Sequence, residues 1–183
     1  MRRFGLAMIV AATALTMSQA AQAADPYVPA EPEVVPSWYL RGDIGWSFLE
    51  WSGGDDDSAI ALGAGIGYRF NENFRVDVRG DFAGDYDVGV TDLDVWTILA
   101  NGYFDIPTGT MLTPYLGAGI GYGWVNASPG GDDDGVAFAL MGGASIDLSS
   151  TTAIDLGYRF RDVMISGSDT QEHQILGGIR FSF

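Results

Sequence analysis

The stretch "FRVDVRGDF", residues 74–82, alternates Phe74, Val76, Val78, Gly80 and Phe82 with Arg75, Asp77, Arg79 and Asp81. A side-chain period of two belongs to a β-strand, so this segment presents one apolar face and one face of alternating positive and negative charge. An i, i+2 arginine–aspartate pair falls on the same side of such a strand. The tripeptide Arg-Gly-Asp at 79–81 is therefore split, its arginine and aspartate on one face and its glycine on the other. The same tripeptide occurs at 41–43, inside "WYLRGDIGWSF" (38–48), where Trp38, Leu40, Ile44, Trp46 and Phe48 share one face and Tyr39, Arg41, Asp43, Gly45 and Ser47 the other.

From Ser37 onward the alternation recurs. Ile60, Leu62, Ala64, Ile66, Tyr68 and Phe70 line one face of a second segment, and Trp96, Ile98, Ala100 and Phe104 that of a fourth. Leu112, Leu116, Ala118, Ile120, Tyr122 and Trp124 follow, then Phe138, Leu140, Ala144, Ile146 and Leu148, then Ile154, Leu156, Tyr158 and Phe160, and lastly Ile175, Ile179, Phe181 and Phe183. Eight strands result. Short connections are expected at 71–73, 107–111 and 149–152, and long ones near 49–57, 83–92, 125–135 and 162–172. Short turns alternating with long loops describe an antiparallel up-and-down meander, and strands of ~9–11 residues suffice to cross a tilted bilayer.

Which face points inward decides between a soluble lipocalin-like barrel and a membrane barrel. The aromatics gather into two bands on the apolar face, with Trp38, Phe70, Phe74, Phe104, Phe181 and Phe183 at one end and Trp46, Phe82, Trp96, Trp124 and Phe138 at the other. Two bands match interfacial girdles. The opposite face carries Gly and Ala (Ala61, Gly63, Gly65, Gly67, Gly117, Gly119, Gly121, Gly123) beside the charges, which suits a narrow interior crowded by long arginines. The fold class expected is an all-β, eight-stranded antiparallel up-and-down transmembrane barrel.

Charge placement agrees. Arg41, Arg69, Arg75, Arg79, Arg159, Arg161 and Arg180 all share the inward parity, and so do Asp43, Asp77, Asp81, Asp105, Asp147 and Asp155. Arg facing lipid at mid-bilayer would cost about 2–4 kcal/mol, whereas inside the barrel opposite charges can pair. These thirteen residues are the candidate lumen network, filling the barrel rather than leaving a wide pore.

The first 23 residues read as a cleaved secretory signal, with Arg2 and Arg3, an apolar run from Gly5 to Met17, and Ala21-Gln22-Ala23 as the cleavage site. Residues 24–36, "ADPYVPAEPEVVP", read as a Pro-rich periplasmic linker, and 37–183 as the barrel. The chain has no cysteine, which excludes disulfides and thiolate metal sites. With no lysine and a formal net charge of −15 it lacks the basic clusters that nucleic acid requires.

"LTPYLGAGIGYGW" (112–124), "IDLGYRFRD" (154–162) and "HQILGGIRFSF" (173–183) resemble the small eight-stranded outer-membrane proteins of Gram-negative bacteria. That grouping includes the porin-family and opacity-like surface proteins and the OmpA-like membrane barrel. The resemblance implies the outer membrane as the location, with lipid, lipopolysaccharide and the barrel-assembly machinery as partners. Ile175, Ile179, Phe181 and Phe183 resemble the terminal signal that this machinery reads.

Two loop runs, "GGDDDS" (53–58) and "GGDDDG" (130–135), place Asp55, Asp56, Asp57 and Asp132, Asp133, Asp134 where they could gather calcium or magnesium. Neither alternates its ligands nor ends in a bidentate Glu as an EF-hand does, so both read as solvated loop tips and no metal is expected. His173, the one histidine, has outward parity near the start of the last strand, and catalysis by a lipid-facing Ser-His pair is not expected of it. No cofactor is implied. The functional expectation is a non-enzymatic surface barrel supporting envelope integrity. The alternatives are an adhesin or ligand-binding protein acting through acidic outer loops, including on host or environmental ligands, and a narrow small-solute channel.

Overall fold

The computed structural model describes residues 36–51, 57–88, 91–128, 132–165 and 168–183; the stretch read as a signal and nearly all of that read as a linker lie outside the described residues. Eight strands follow in chain order: β1 (Ser37–Trp51), β2 (Asp57–Arg69), β3 (Phe74–Val88), β4 (Thr91–Asp105), β5 (Leu112–Ser128), β6 (Asp132–Asp147), β7 (Thr152–Ile165) and β8 (Ser168–Ser182). Each pairs antiparallel with the next, and β8 closes on β1. The ladder can be followed through Tyr39, Gly67, Asp77, Asn101, Gly119, Ala139, Arg161 and Glu172. It returns to β1 at Leu49, ten residues beyond its start. That stagger tilts the strands and fixes a bore that side chains can fill.

The outward face is apolar all the way round. Ile44, Leu62, Val78, Ile98, Ile120, Leu140, Leu156 and Ile179 are exposed, as lipid contact requires and water contact would forbid. Edge-on ring pairs mark the turn-side girdle at Trp38–Tyr68, Tyr68–Phe70 and Phe74–Phe104. Phe82–Trp96, Tyr122–Trp124 and Phe138–Phe160 mark the opposite one.

The strands run 13 to 17 residues, longer than a bilayer crossing needs. Much of what reads as long loop in the sequence is therefore strand: β3 continues to Val88, β5 to Ser128, and β8 begins at Ser168. Beyond the girdle lipid no longer enforces an apolar outward face, so the ladder continues without the contrast that makes alternation visible. A register shift between Ala83 and Tyr86 interrupts the β3–β4 ladder in this outer region, where bulges bend strands.

Two glycines show what the bore demands. A β-carbon on inward-facing Gly121 would fall inside the van der Waals envelope of the Ile98 carbonyl, whereas one on outward-facing Gly80 would meet nothing within 4 Å. Gly121→Ala should therefore lower barrel stability by about 1–3 kcal/mol, as overpacking does. Gly80→Ala should leave stability unchanged or raise it slightly. Urea unfolding in detergent micelles compares the two, and equal effects would refute this account of the glycine face.

Candidate functional site: the filled lumen

Among the described residues buried charge concentrates in the lumen, and the two Arg-Gly-Asp tripeptides form its centre. Arg41 folds back on Asp43 through Nε (3.1 Å) and Nη2 (2.8 Å). Arg79 does the same to Asp81 through Nε (3.0 Å) and Nη2 (2.6 Å). Gly42 and Gly80 are both in register with Ala64 on the intervening strand β2. Arg79 reaches across β2 to Asp43 at 3.2 Å, joining the two tripeptides into one cluster. Such charge-assisted, forked contacts are the strong end of the hydrogen-bond range.

The cluster extends toward both ends. Turn-ward, Arg41 donates to Asp77 (3.1 Å) and to the Tyr103 hydroxyl (3.0 Å), and Asn101 donates to Asp77 (2.7 Å). Arg75 is held by Asp105 at 2.9 Å and lies 4.2 Å from the centroid of the Tyr103 ring. Arg180 pairs with Asp155 at 3.2 Å, and Ser145 donates to the same aspartate at 2.6 Å. Outward, Arg159 meets Asp81 at 2.9 Å and donates to Gln174 at 2.6 Å. Gln174 donates to Ser47, Ser47 to Glu172, and Arg161 grips Glu172 through Nε and Nη2 while donating to Thr97. Strands β3 and β7 lie on opposite walls, so Arg159–Asp81 spans the bore.

One step outward from these polar groups the interior turns apolar. Leu49, Ala59, Ala83, Val95, Val125, Ala137 and Val163, from seven different strands, are all buried. Between Arg41, Asp43, Arg79, Tyr103, Tyr115 and Met141 a void of about 10 Å³ is left, room for at most one water.

Of the thirteen residues expected in the network, eleven are buried: Arg41, Asp43, Arg75, Asp77, Arg79, Asp81, Asp105, Asp155, Arg159, Arg161 and Arg180. Arg69, the last residue of β2, is half-buried. Asp147 is a correction. It is exposed, because it ends β6 where the lumen opens to water. Parity assigns a face but not a depth.

Sequence reading also missed members. Glu172, assigned to a loop, is wholly buried, and continuing the β8 parity one residue back from His173 would have found it. Gln174, Thr97, Asn101, Tyr103 and Tyr115 carry no charge signal, yet they supply the hydrogen bonds and ring faces between the ions.

The remaining candidates lie elsewhere. Ile175, Ile179, Phe181 and Phe183 are exposed on the lipid side. Asp55 and Asp56 fall outside the described residues, and the side chains of Asp57 and Asp132 are likewise not described. Asp133 and Asp134 are exposed, Asp134 accepting a hydrogen bond from Tyr122. Among the described residues no His, Cys, Asp and Glu gather into a metal-binding group. His173 is in register with Phe48 and Phe160, and its Nδ1 meets the Tyr158 hydroxyl, the surroundings of a girdle residue.

Removing one partner of a buried ion pair leaves the other unpaired at a cost of about 3–5 kcal/mol. Asp81→Ala, which strips both Arg79 and Arg159, should fall in or above that range, while Asp147→Asn should change stability by less than about 0.5 kcal/mol. Unfolding in micelles measures both, and a mild Asp81 variant would show the network to be dispensable.

The chain matches a family model described as the outer membrane protein beta-barrel domain over residues 8–183. It is 31% identical to an uncharacterized protein of Brucella abortus (strain 2308), with 88% of this chain and 84% of that one covered. A protein of Rickettsia prowazekii (strain Madrid E), provisionally named an adhesin, is 24% identical, covering 79% of this chain and 86% of its own length. Among solved structures, the crystal structure of Neisserial surface protein A superposes with a TM-score of 0.74 at 22% identity, covering 81% of this chain and 99% of that one. At that identity the likeness is one of fold.

Proposed function

This chain belongs to the outer membrane protein β-barrel family, and from that premise we propose that it is a closed, non-enzymatic surface barrel that supports envelope integrity. It is a barrel of the outer membrane. The observation that carries the functional reading is the filled lumen. Ion pairs tie opposite walls together, and an apolar layer lies outward of them. A hydrated solute would have to break buried pairs and then cross that layer without its water, which argues against the narrow-channel alternative.

The reading places lipid and lipopolysaccharide at the two girdles as partners. It assigns Ile175, Ile179, Phe181 and Phe183 to recognition by the assembly machinery. No nucleic acid, cofactor or metal enters it. The Arg-Gly-Asp tripeptides serve the barrel as internal ion pairs, not as adhesion ligands. An adhesive role of the outer strand ends is the second reading. It is favoured by the relative provisionally named an adhesin and by the exposed acids Asp133 and Asp134 at the outer end of β6.

In planar bilayers the purified protein should show no conductance steps like those of a large general porin, and such steps would refute the closed lumen. A deletion strain separates the two surface readings. Detergent sensitivity with normal attachment is the expected result. Lost attachment with an intact envelope would move the assignment to the adhesin.

A further inference from the structure

At the end of the lumen beside the short turns, three arginines draw together. Arg75 and Arg180 are buried, and Arg69 is half-buried. Arg69 faces Arg75 directly in the β2–β3 ladder, and Arg180 lies within electrostatic reach of both. Asp105 holds Arg75 through Nε, and Asp155 holds Arg180. Arg69 makes no hydrogen bond or ion pair with another described residue. The two terminal nitrogens of Arg75, Nη1 and Nη2, also lack a hydrogen-bond partner among the described residues.

The neighbouring groups leave this demand unmet. The Tyr103 and Tyr115 ring centroids lie 4.2 and 4.9 Å from the Arg75 guanidinium carbon. A ring face attracts a cation but offers its N–H groups no acceptor oxygen. Asp105 turns both oxygens to the Arg75 Nε, and Asp155 already accepts from Arg180 and Ser145. Asp147 is exposed at the end of β6, on the wall opposite β2. Like charges in register repel, and buried donors left unsatisfied are costly. One chemistry answers both: an oxoanion, whose oxygens accept from a guanidinium fork while its charge offsets the second arginine.

We propose that Arg69 and Arg75 form a binding site for a small oxoanion, reached from the short-turn mouth of the lumen. Arg69, the last residue of β2, is the half-exposed group that an arriving anion meets. Arg75 is the buried partner, fixed by Asp105 and supplying the two open donors. This goes beyond the closed-barrel reading, since a lumen filled by its own network needs no ligand.

Inorganic phosphate is the probe. In detergent micelles at fixed ionic strength it should raise the thermal unfolding midpoint of the purified protein, the rise levelling off as the site fills. Phosphate also stabilises proteins by exclusion from their surface, so Arg69→Gln is the deciding comparison. That variant breaks no hydrogen bond or ion pair among the described residues and should fold. It should need at least tenfold more phosphate for the same shift. An equal response in variant and parent, or an equal effect of chloride, overturns the proposal. Should the variant not fold, crystals of the parent protein soaked in selenate decide. An anomalous peak within hydrogen-bond distance of both Arg69 and Arg75 is the expected result, and its absence overturns the site. Large conductance with a saturable phosphate response would defeat the closed-barrel reading and leave the site standing.

Discussion

Everything inside this barrel depends on a long arginine folding back onto an aspartate two residues ahead on the same strand. Arg41–Asp43 and Arg79–Asp81 are self-contained, nearly neutral units that can be buried. Each still has donors or acceptors to spare, and those reach neighbouring strands: Arg79 to Asp43, Arg41 to Asp77, Asp81 to Arg159. Local neutralisation comes first and the cross-lumen network follows from its leftover valences. The wall must thin where the guanidiniums lie. At Gly63 a β-carbon would collide with the tips of Arg79 and Asp81.

This arrangement inverts the usual division of labour in a protein. The apolar side chains face lipid, so they hold the barrel in the membrane without forming its core. The backbone ladder is closed and leaves no edge. What remains is to fill the bore without a stranded charge, and the network does so with ions, amides, hydroxyls and the rings of Tyr103 and Tyr115. A buried network of this kind gains little net stability over apolar packing, yet any single deletion is costly.

How much of this the sequence discloses depends on where lipid creates contrast. Within the girdles, alternation such as Phe74–Val76–Val78 against Arg75–Asp77–Arg79 is enforced by the bilayer, and face assignment from parity is reliable there. Outside them the constraint lapses. Glu172 and Asp147 both have inward parity, but the first is sealed beneath the barrel's outer end and the second opens to water. Depth follows from the ten-residue stagger, which is a property of closure and not of any one strand. The pairing of Arg159 with Asp81 across the bore is illegible for the same reason.

With the lipid face committed to the membrane and the lumen to its own ions, the outer strand ends are the surface left for contact with the surroundings. The acids gather there: Asp87 pairs in register with Asp92, and Asp132, Asp133 and Asp134 oppose Asn126, Val125 and Trp124. Asp133 and Asp134 are exposed and stand outside the buried ion-pair network. The Arg-Gly-Asp tripeptides are in the opposite position. Exposing either to a receptor would require unzipping two ladders and stranding at least two buried charges. A recognition function, where the chain has one, is written in the residues that the barrel does not need.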